Sequence, residues 1–393
     1  MNTQDLLLNT QHHFKKQFGE TPETNVLSPG RINLIGEHVD NYDGFVLPAA
    51  IDMYIAFSAR KNNRNDIRIY AADINESVSI KIDENHQPSE NLWQNYFLGI
   101  LQNIKKESKF STGIDVAFSS NLPVGAGLSS SAALSCGFAF LLNHVYNLGF
   151  SGKEIALMGQ WTEHNFAGVK CGIMDQFASV FGKKNQVILL DCMTAEYQYY
   201  NLDFGSYALL LLDSGVKHTH LTSGYNDRRA DVLRGIEILK KHFPDYQTLR
   251  TVSTEQIESL KQELTEKECQ RLIYVVKEIA RVKDAVKALE KNAHTEFGKL
   301  MYQTHLGLSR EYEVSCEELD FLVEEIMKKE GVIGSRMMGG GFGGCSISLI
   351  RKDRLQTVTE EIKTSYRQKF GIELKDYSVN ISNGTQTVEN EFI

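Results

Sequence analysis

The sequence predicts an α+β chain built as two closely joined lobes. Three observations carry this reading: strand-like runs mixed with helical segments in the first half, strong helical patterning after Tyr225, and no Ser/Gly/Pro-rich linker or fixed-period repeat between them. A chain of 393 residues, 42% hydrophobic and 23% charged, is also too long for a single small core.

In chain order, YIAFSAR (54–60) and DIRIYAA (66–72) read as strands, and glycine and serine concentrate at 125–131. Ser151 with Glu154 has capping-box spacing, in which each side chain satisfies an amide left unpaired at a helix start. Leu272, Val275, Val276, Ile279, Val282, Val286 and Leu289 recur at three and four residues and predict one apolar helix face over 271–289. Ser315 with Glu318 predicts a second capping box, and Gly331 the stop of the helix it begins. A glycine cluster, MMGGGFGGC (337–345), then leads into an alternating strand, CSISLI (345–350).

Composition excludes several roles. The net charge of −8 comes without any basic run, so no nucleic-acid partner is expected. The N-terminal residues lack the basic and apolar regions of a secretory signal, and no stretch approaches the roughly 18 apolar residues of a membrane span, so no membrane partner is expected. Six cysteines without paired spacing predict free thiols in a reducing cytoplasm.

Three segments carry chemistry. PVGAGLSSSAALSCGFAFLL (123–142) is a small-residue loop entering an apolar helix, where glycines admit close backbone approach and the helix start favours anions. It reads either as a phosphate cradle or as a serine-capped buried helix. A dinucleotide fingerprint is disfavoured by Pro123 and by the missing acidic residue some 20 positions on, and GxxxxGK[ST] is absent because neither Lys153 nor Lys299 has the required neighbours. SPGRINLIGEHVDNYDGFVLPAAID (28–52) gathers Arg31, Glu37, His38, Asp40 and Asp43, which suits a polyhydroxylated ligand or a solvated charged turn. In NFAGVKCGIMDQFAS (165–179), Asp175 among apolar neighbours is either partly desolvated for proton transfer or a helix cap.

Together these segments resemble the motifs of the GHMP kinase superfamily. GRINLIGEHVDNYDGFVLP is similar to the galactokinase signature, LPVGAGLSSSAAL to the superfamily's ATP-binding motif, and GSRMMGGGFGGCSISL (334–349) to its third motif; CGIMDQFAS and EYEVSCEELD (311–320) also read as galactokinase segments. The resemblance implies a lobe like ribosomal protein S5 domain 2 over residues 1–185 and a ferredoxin-like lobe over 186–393, with the active site between them. It implies transfer of the γ-phosphate of ATP to the anomeric hydroxyl of D-galactose, the first committed step of galactose catabolism by the Leloir pathway. Carried over by residue, Asp175 is the catalytic base and Arg31 faces it. Glu37, His38, Val39, Asp40, Gly172, Asp175 and Tyr225 bind the sugar. Gly125, Ala126, Gly127, Leu128, Ser129, Ser130 and Ser131 bind ATP, and Ser131 with Glu163 holds Mg²⁺. Galactose and ATP are the expected partners of a cytoplasmic monomer.

Two segments depart from the family pattern. HVDNY stands where the family usually has HTDYN, placing Val39, Asn41 and Tyr42 at altered positions, and LLDSGVKH (211–218) replaces an asparagine-containing run. The first change leaves room for a kinase of another sugar, such as N-acetylgalactosamine or L-arabinose. A non-catalytic sensor of sugar and nucleotide is the other alternative; such relatives are damaged in the serine-alanine stretch, which is intact here from Ser129 to Ala133.

Overall fold

A computed structural model describes residues 1–107, 112–123, 125–217 and 221–389. Val124 of the small-residue loop and His218 of the second departing segment lie outside the described residues. The strands are β1 (Thr24–Asn33), β2 (Phe45–Val46), β3 (Pro48–Lys61), β4 (Asp66–Ala71), β5 (Glu76–Lys81), β6 (Ile114–Ser120), β7 (Gln186–Asp191), β8 (Tyr197–Asn201), β9 (Tyr207–Lys217), β10 (Val332–Met337), β11 (Gly343–Arg351), β12 (Lys375–Ser378) and β13 (Gln386–Val388). The helices are α1 (Thr3–Phe18), α2 (Leu92–Glu107), α3 (Ser130–Tyr146), α4 (Gly152–Thr162), α5 (Met174–Phe181), α6 (Leu221–His242), α7 (Thr254–Ser259), α8 (Glu266–Glu290), α9 (His294–Arg310), α10 (Glu317–Met327) and α11 (Leu355–Phe370).

These strands form three sheets. The largest runs β13-β1-β3-β6-β4-β5, antiparallel except for the parallel β4–β6 pair. A four-stranded antiparallel sheet runs β10-β11-β9-β12, and a small one β2-β7-β8. The first sheet takes its edge strand β13 from the far end of the chain, so residues 386–388 sit beside β1 rather than with the second sheet.

Burial explains the elements. α3 is apolar all round and packs Phe138, Leu141 and Leu142 against Phe57 and Val116 of the large sheet. The leucine run in β9 buries both faces: Leu209 and Leu211 join that core, while Leu210 and Leu212 pack with Leu322, Ile326 and Ile362 of α10 and α11. α8 contains the predicted 271–289 face, with Leu272, Val275, Ile279, Val282, Val286 and Leu289 buried. Ser151 and Glu154 form the predicted capping box of α4. The second box does not form. α10 begins at Glu317 with Cys316 at its cap position and no side-chain cap bond, leaving the Ser315 hydroxyl without a partner. Gly331 follows the end of α10 at Met327 by four residues and turns the chain into β10 with φ +89°. α6 begins at Leu221, four residues before the expected change at Tyr225. Among the described residues no helix is long and apolar enough to cross a membrane.

Candidate active site

The centre of the site is an arginine on β1 and an aspartate in the first turn of α5. The β1–β3 register shifts between Pro29 and Arg31, and the Arg31 side chain is 4% exposed. Its Nε and Nη2 donate to Asp175 Oδ1 and Oδ2 at 2.7 and 2.9 Å, and its Nη1 donates to the Gly127 carbonyl at 2.6 Å. Two parallel bonds from one guanidinium fix the carboxylate plane. Ser129 Oγ adds a third donor to Asp175 at 2.5 Å. Neither residue is the helix cap that sequence reasoning left open: Ile173 holds the α5 cap position without a side-chain bond, and Ser129 precedes α3 without capping it. Ser129 instead has φ +57°, a left-handed conformation that costs about 1 kcal/mol or more in a residue with a Cβ.

On one side of this pair lies a cavity of about 140 Å³ lined by Glu37, His38, Asp40, Tyr225, Gly339 and Gly340, with Val169, Cys171 and Met174. Glu37 is held by the second lobe: its Oε2 accepts from Arg336 Nη2 at 2.8 Å and from the Gly339 amide at 3.1 Å. Arg336 is fully buried and also donates to the carbonyls of Asn33, Leu34 and Met337. Tyr274 donates to the Glu37 carbonyl at 2.9 Å, and the Gly36 amide donates to Glu278 at 2.8 Å. The loop bearing Glu37 and His38 is thus anchored by α8 and β10.

Electrostatics follow from burial. Asp40 has its pKa raised to about 7, first by burial and then by the negative charges of Asp175 and Glu37. His38, at φ +60°, is lowered to about 4 chiefly by burial, so its ring is neutral near pH 7. That ring lies 5.3 Å from Tyr225 and 4.9 Å from Tyr312 between centroids, and its Nε2 has no partner among the described residues.

Two predicted sugar contacts are not in the cavity wall. Val39 is fully buried in an apolar cluster with Ile173 and Phe177. Gly172 sits behind Asp40, where an added Cβ would lie 2.2 Å from Asp40 Oδ2. The altered pair separates: Asn41 Nδ2 donates to the Tyr225 hydroxyl at 2.6 Å, while Tyr42 is buried and shares a 3.1 Å hydrogen bond with Tyr312.

A second cavity, of about 190 Å³, is lined by Gly125, Gly127, Leu128, Ser129, Ser130 and Ser131, of which Gly127 and Ser129 are hydrogen-bonded to Arg31 and Asp175. Ala126 points into the core instead. The opposite wall is the glycine cluster, with Met338, Gly340, Gly341, Gly343 and Gly344. Glycine is required where the loops meet, since a Cβ on Gly339, at φ +84°, would lie 3.2 Å from the Gly127 carbonyl. Gly340 lines both cavities. The start of α3 opens here, and its unpaired amides favour anionic ligands.

Ser131 and Glu163 are brought together at this end. Glu163 stands where α4 gives way to a π-helical turn at Glu163–Ala167, is 4% exposed, and has its pKa raised to about 7 by burial despite a hydrogen bond from Ser131. Sequence reasoning named the glycine cluster as a motif but assigned no site role to Arg336, Met338, Gly339, Gly340, Val169, Cys171 or Met174. The run of glycines was the available signal for residues 336–340, whereas Val169, Cys171 and Met174 lie in the 165–179 segment already singled out around Asp175.

Known proteins match the sequence and the fold. The sequence matches the GHMP kinases N terminal domain over residues 95–183, the galactokinase galactose-binding signature over 12–61 and the GHMP kinases C terminal domain over 285–368. It is 39% identical to a galactokinase of Thermotoga maritima, covering 92% of this chain and 99% of that protein. It is 36% identical to a galactokinase of Clostridium tetani, covering 95% and 96%. The fold superimposes on the crystal structure of Lactococcus lactis galactokinase complexed with galactose with TM-score 0.93 and 31% identity, covering 97% of this chain and 100% of that one. The chain therefore belongs to the galactokinase family of GHMP kinases, ATP-dependent sugar phosphotransferases.

Proposed function

We propose that this chain transfers the γ-phosphoryl group of ATP to the anomeric hydroxyl of D-galactose, with Asp175 as the base. The observation that carries the proposal is that the Arg31–Asp175 pair lines one cavity and is hydrogen-bonded to Gly127 and Ser129 of a second cavity of different chemistry. One cavity is lined by carboxylates and a phenol, and the other by glycine amides, serines and a helix start. A sugar hydroxyl both donates and accepts, so Glu37, Asp40 and Tyr225 suit it, whereas polyphosphate suits the glycine loops.

Asp175 accepts the proton of the attacking hydroxyl as the oxygen approaches the γ-phosphorus, and ADP leaves carrying the electrons of the broken O–P bond. Arg31 holds the carboxylate plane through two hydrogen bonds and places positive charge beside the reacting centre. No covalent enzyme intermediate is needed. Magnesium fits beside Ser131 and Glu163: a buried carboxylate with no ion pair among the described residues is a ready cation ligand. No group of three or more His, Cys, Asp or Glu among the described residues could hold a metal by itself. When bound, it would neutralise phosphate charge.

A cytoplasmic monomer whose lobes divide near residue 185 completes the proposal, and six cysteines without disulfides suit a reducing compartment. The test is a panel of hexoses and pentoses with ATP and magnesium, read by ADP release. Galactose should give the highest kcat/KM. Preference for a pentose or an N-acetylated hexose would redirect the substrate assignment, and no release with any sugar would remove it.

A further inference from the structure

We propose that Asn41 is a positioning residue for sugar recognition, because it fixes the Tyr225 phenol as a hydrogen-bond donor into the sugar cavity. The inference rests on the reading of that cavity as the sugar site. Asn41 lies in a 3-10 turn at Asp40–Tyr42, and Tyr225 reaches it from α6. The Asn41 amide donates to the phenolic oxygen at 2.6 Å. A phenol has one proton, and when an amide N–H occupies one side of its oxygen, that proton is directed elsewhere. The Tyr225 ring is also held against His38, so the phenol has little freedom to choose another arrangement.

The need for such a donor follows from the rest of the wall. Glu37, Asp40 and Asp175 supply mainly acceptors. Arg31 commits three of its N–H groups to Asp175 and Gly127, and the Gly339 amide is committed to Glu37. Apart from the His38 ring and Asp40 when protonated, uncommitted donors are scarce in this lining, while each sugar hydroxyl oxygen taken out of water needs one. Burial, followed by the charge of Asp40, raises the Tyr225 pKa well above the ordinary phenol range, so the proton remains available to donate. Tyr42 cannot substitute, because its hydroxyl is buried against Tyr312.

The diagnostic variant is Asn41→Asp, which keeps the shape but replaces the donor by an acceptor and draws the Tyr225 proton out of the cavity. Initial rates of ADP release, with galactose and ATP varied separately, should show the galactose KM raised about fivefold or more, kcat changed less, and the ATP KM within twofold. Asn41→Ala, which only frees the phenol, should have a smaller effect. Tyr225→Phe should raise the galactose KM, and Asn41→Asp added to it should cost nothing further. Thermal melts check that the variants are folded. A galactose KM within twofold of wild type for Asn41→Asp, alongside a raised KM for Tyr225→Phe, overturns the role of Asn41 alone. An unchanged KM for Tyr225→Phe overturns the reading of this wall as sugar-facing, and the inference with it.

Discussion

Gly172 lines neither cavity of the site, yet its replacement should disable sugar recognition. A methyl group at Gly172 would lie 2.2 Å from Oδ2, 2.3 Å from Cγ and 2.7 Å from Cβ of Asp40. Because the overlap reaches Cβ, a rotation of the carboxylate cannot relieve it, and the whole side chain must leave its place. The backbone at Gly172 is not in the positive-φ region, so alanine brings no conformational strain of its own. The expected loss is that of a hydrogen bond involving a charged or strongly polar acceptor, about 1.5–3 kcal/mol, or about 10- to 150-fold in kcat/KM for galactose. Initial rates with galactose varied at saturating magnesium and ATP measure it, with the ATP KM within twofold as the control. Gly172→Ala combined with Asp40→Ala should be no worse than Asp40→Ala alone, since the first acts through the second. A galactose KM within twofold of wild type in a folded Gly172→Ala protein would refute the assignment of Asp40 as a sugar-reading group.

Other expectations concern protons, packing and metal. Asp40 has a folded pKa near 7 against an ordinary 3.8, so the folded state keeps a proton that the unfolded chain has lost between about pH 4 and 7. Its contribution to stability therefore falls as pH rises through that window, by at most about 1.4 kcal/mol per pH unit for one proton. His38, lowered to about 4, has the opposite slope from about pH 4 to 6.5, so the wild-type curve alone hides the effect. Urea melts at pH 5 and 7 should show Asp40→Asn gaining stability relative to wild type as pH rises, and parallel curves would contradict this. Val39→Thr places a hydroxyl in an apolar cluster and should cost about 1–3 kcal/mol in a urea melt, while leaving the galactose-to-glucose preference unchanged. Ser131→Ala and Glu163→Ala should each raise the magnesium concentration needed for half-maximal rate more than they raise the galactose KM. Magnesium titrations that overlay the wild type would remove both from the metal site.

How much of this was legible in the sequence depends on the range of the interaction. Local signals read well: the α8 face, the Ser151 box and the β11 alternation all depend on neighbours within a few positions. The Ser315 box failed on equally local grounds, because the same spacing occurs where the helix starts one residue later, behind Cys316. Arg31, Asp175 and the 125–131 loop were found through motifs, but motifs could not say that Ser129 serves Asp175 rather than the helix. That choice depends on a contact 46 positions away. Arg336 was invisible for the same reason. An arginine in a strand normally reads as an edge or surface residue, and only the fold shows its guanidinium buried against Glu37 and two carbonyls from a loop about 300 positions earlier. Val39 was assigned to the sugar only through the family resemblance, which carries over the whole 37–40 run. The turn that follows it sends its side chain into the apolar cluster instead.

The most direct test of phosphoryl transfer by this pair is Asp175→Asn, with binding and turnover measured on the same preparation. The amide keeps the shape, cannot accept the hydroxyl proton, and offers Arg31 one acceptor oxygen in place of two. Calorimetry should give dissociation constants for galactose and ATP within a few-fold of wild type, while ADP release falls by about 10²-fold or more, the range of positioned base catalysis. Turnover within tenfold of wild type, with both ligands bound normally, would contradict the assignment of Asp175 as the base.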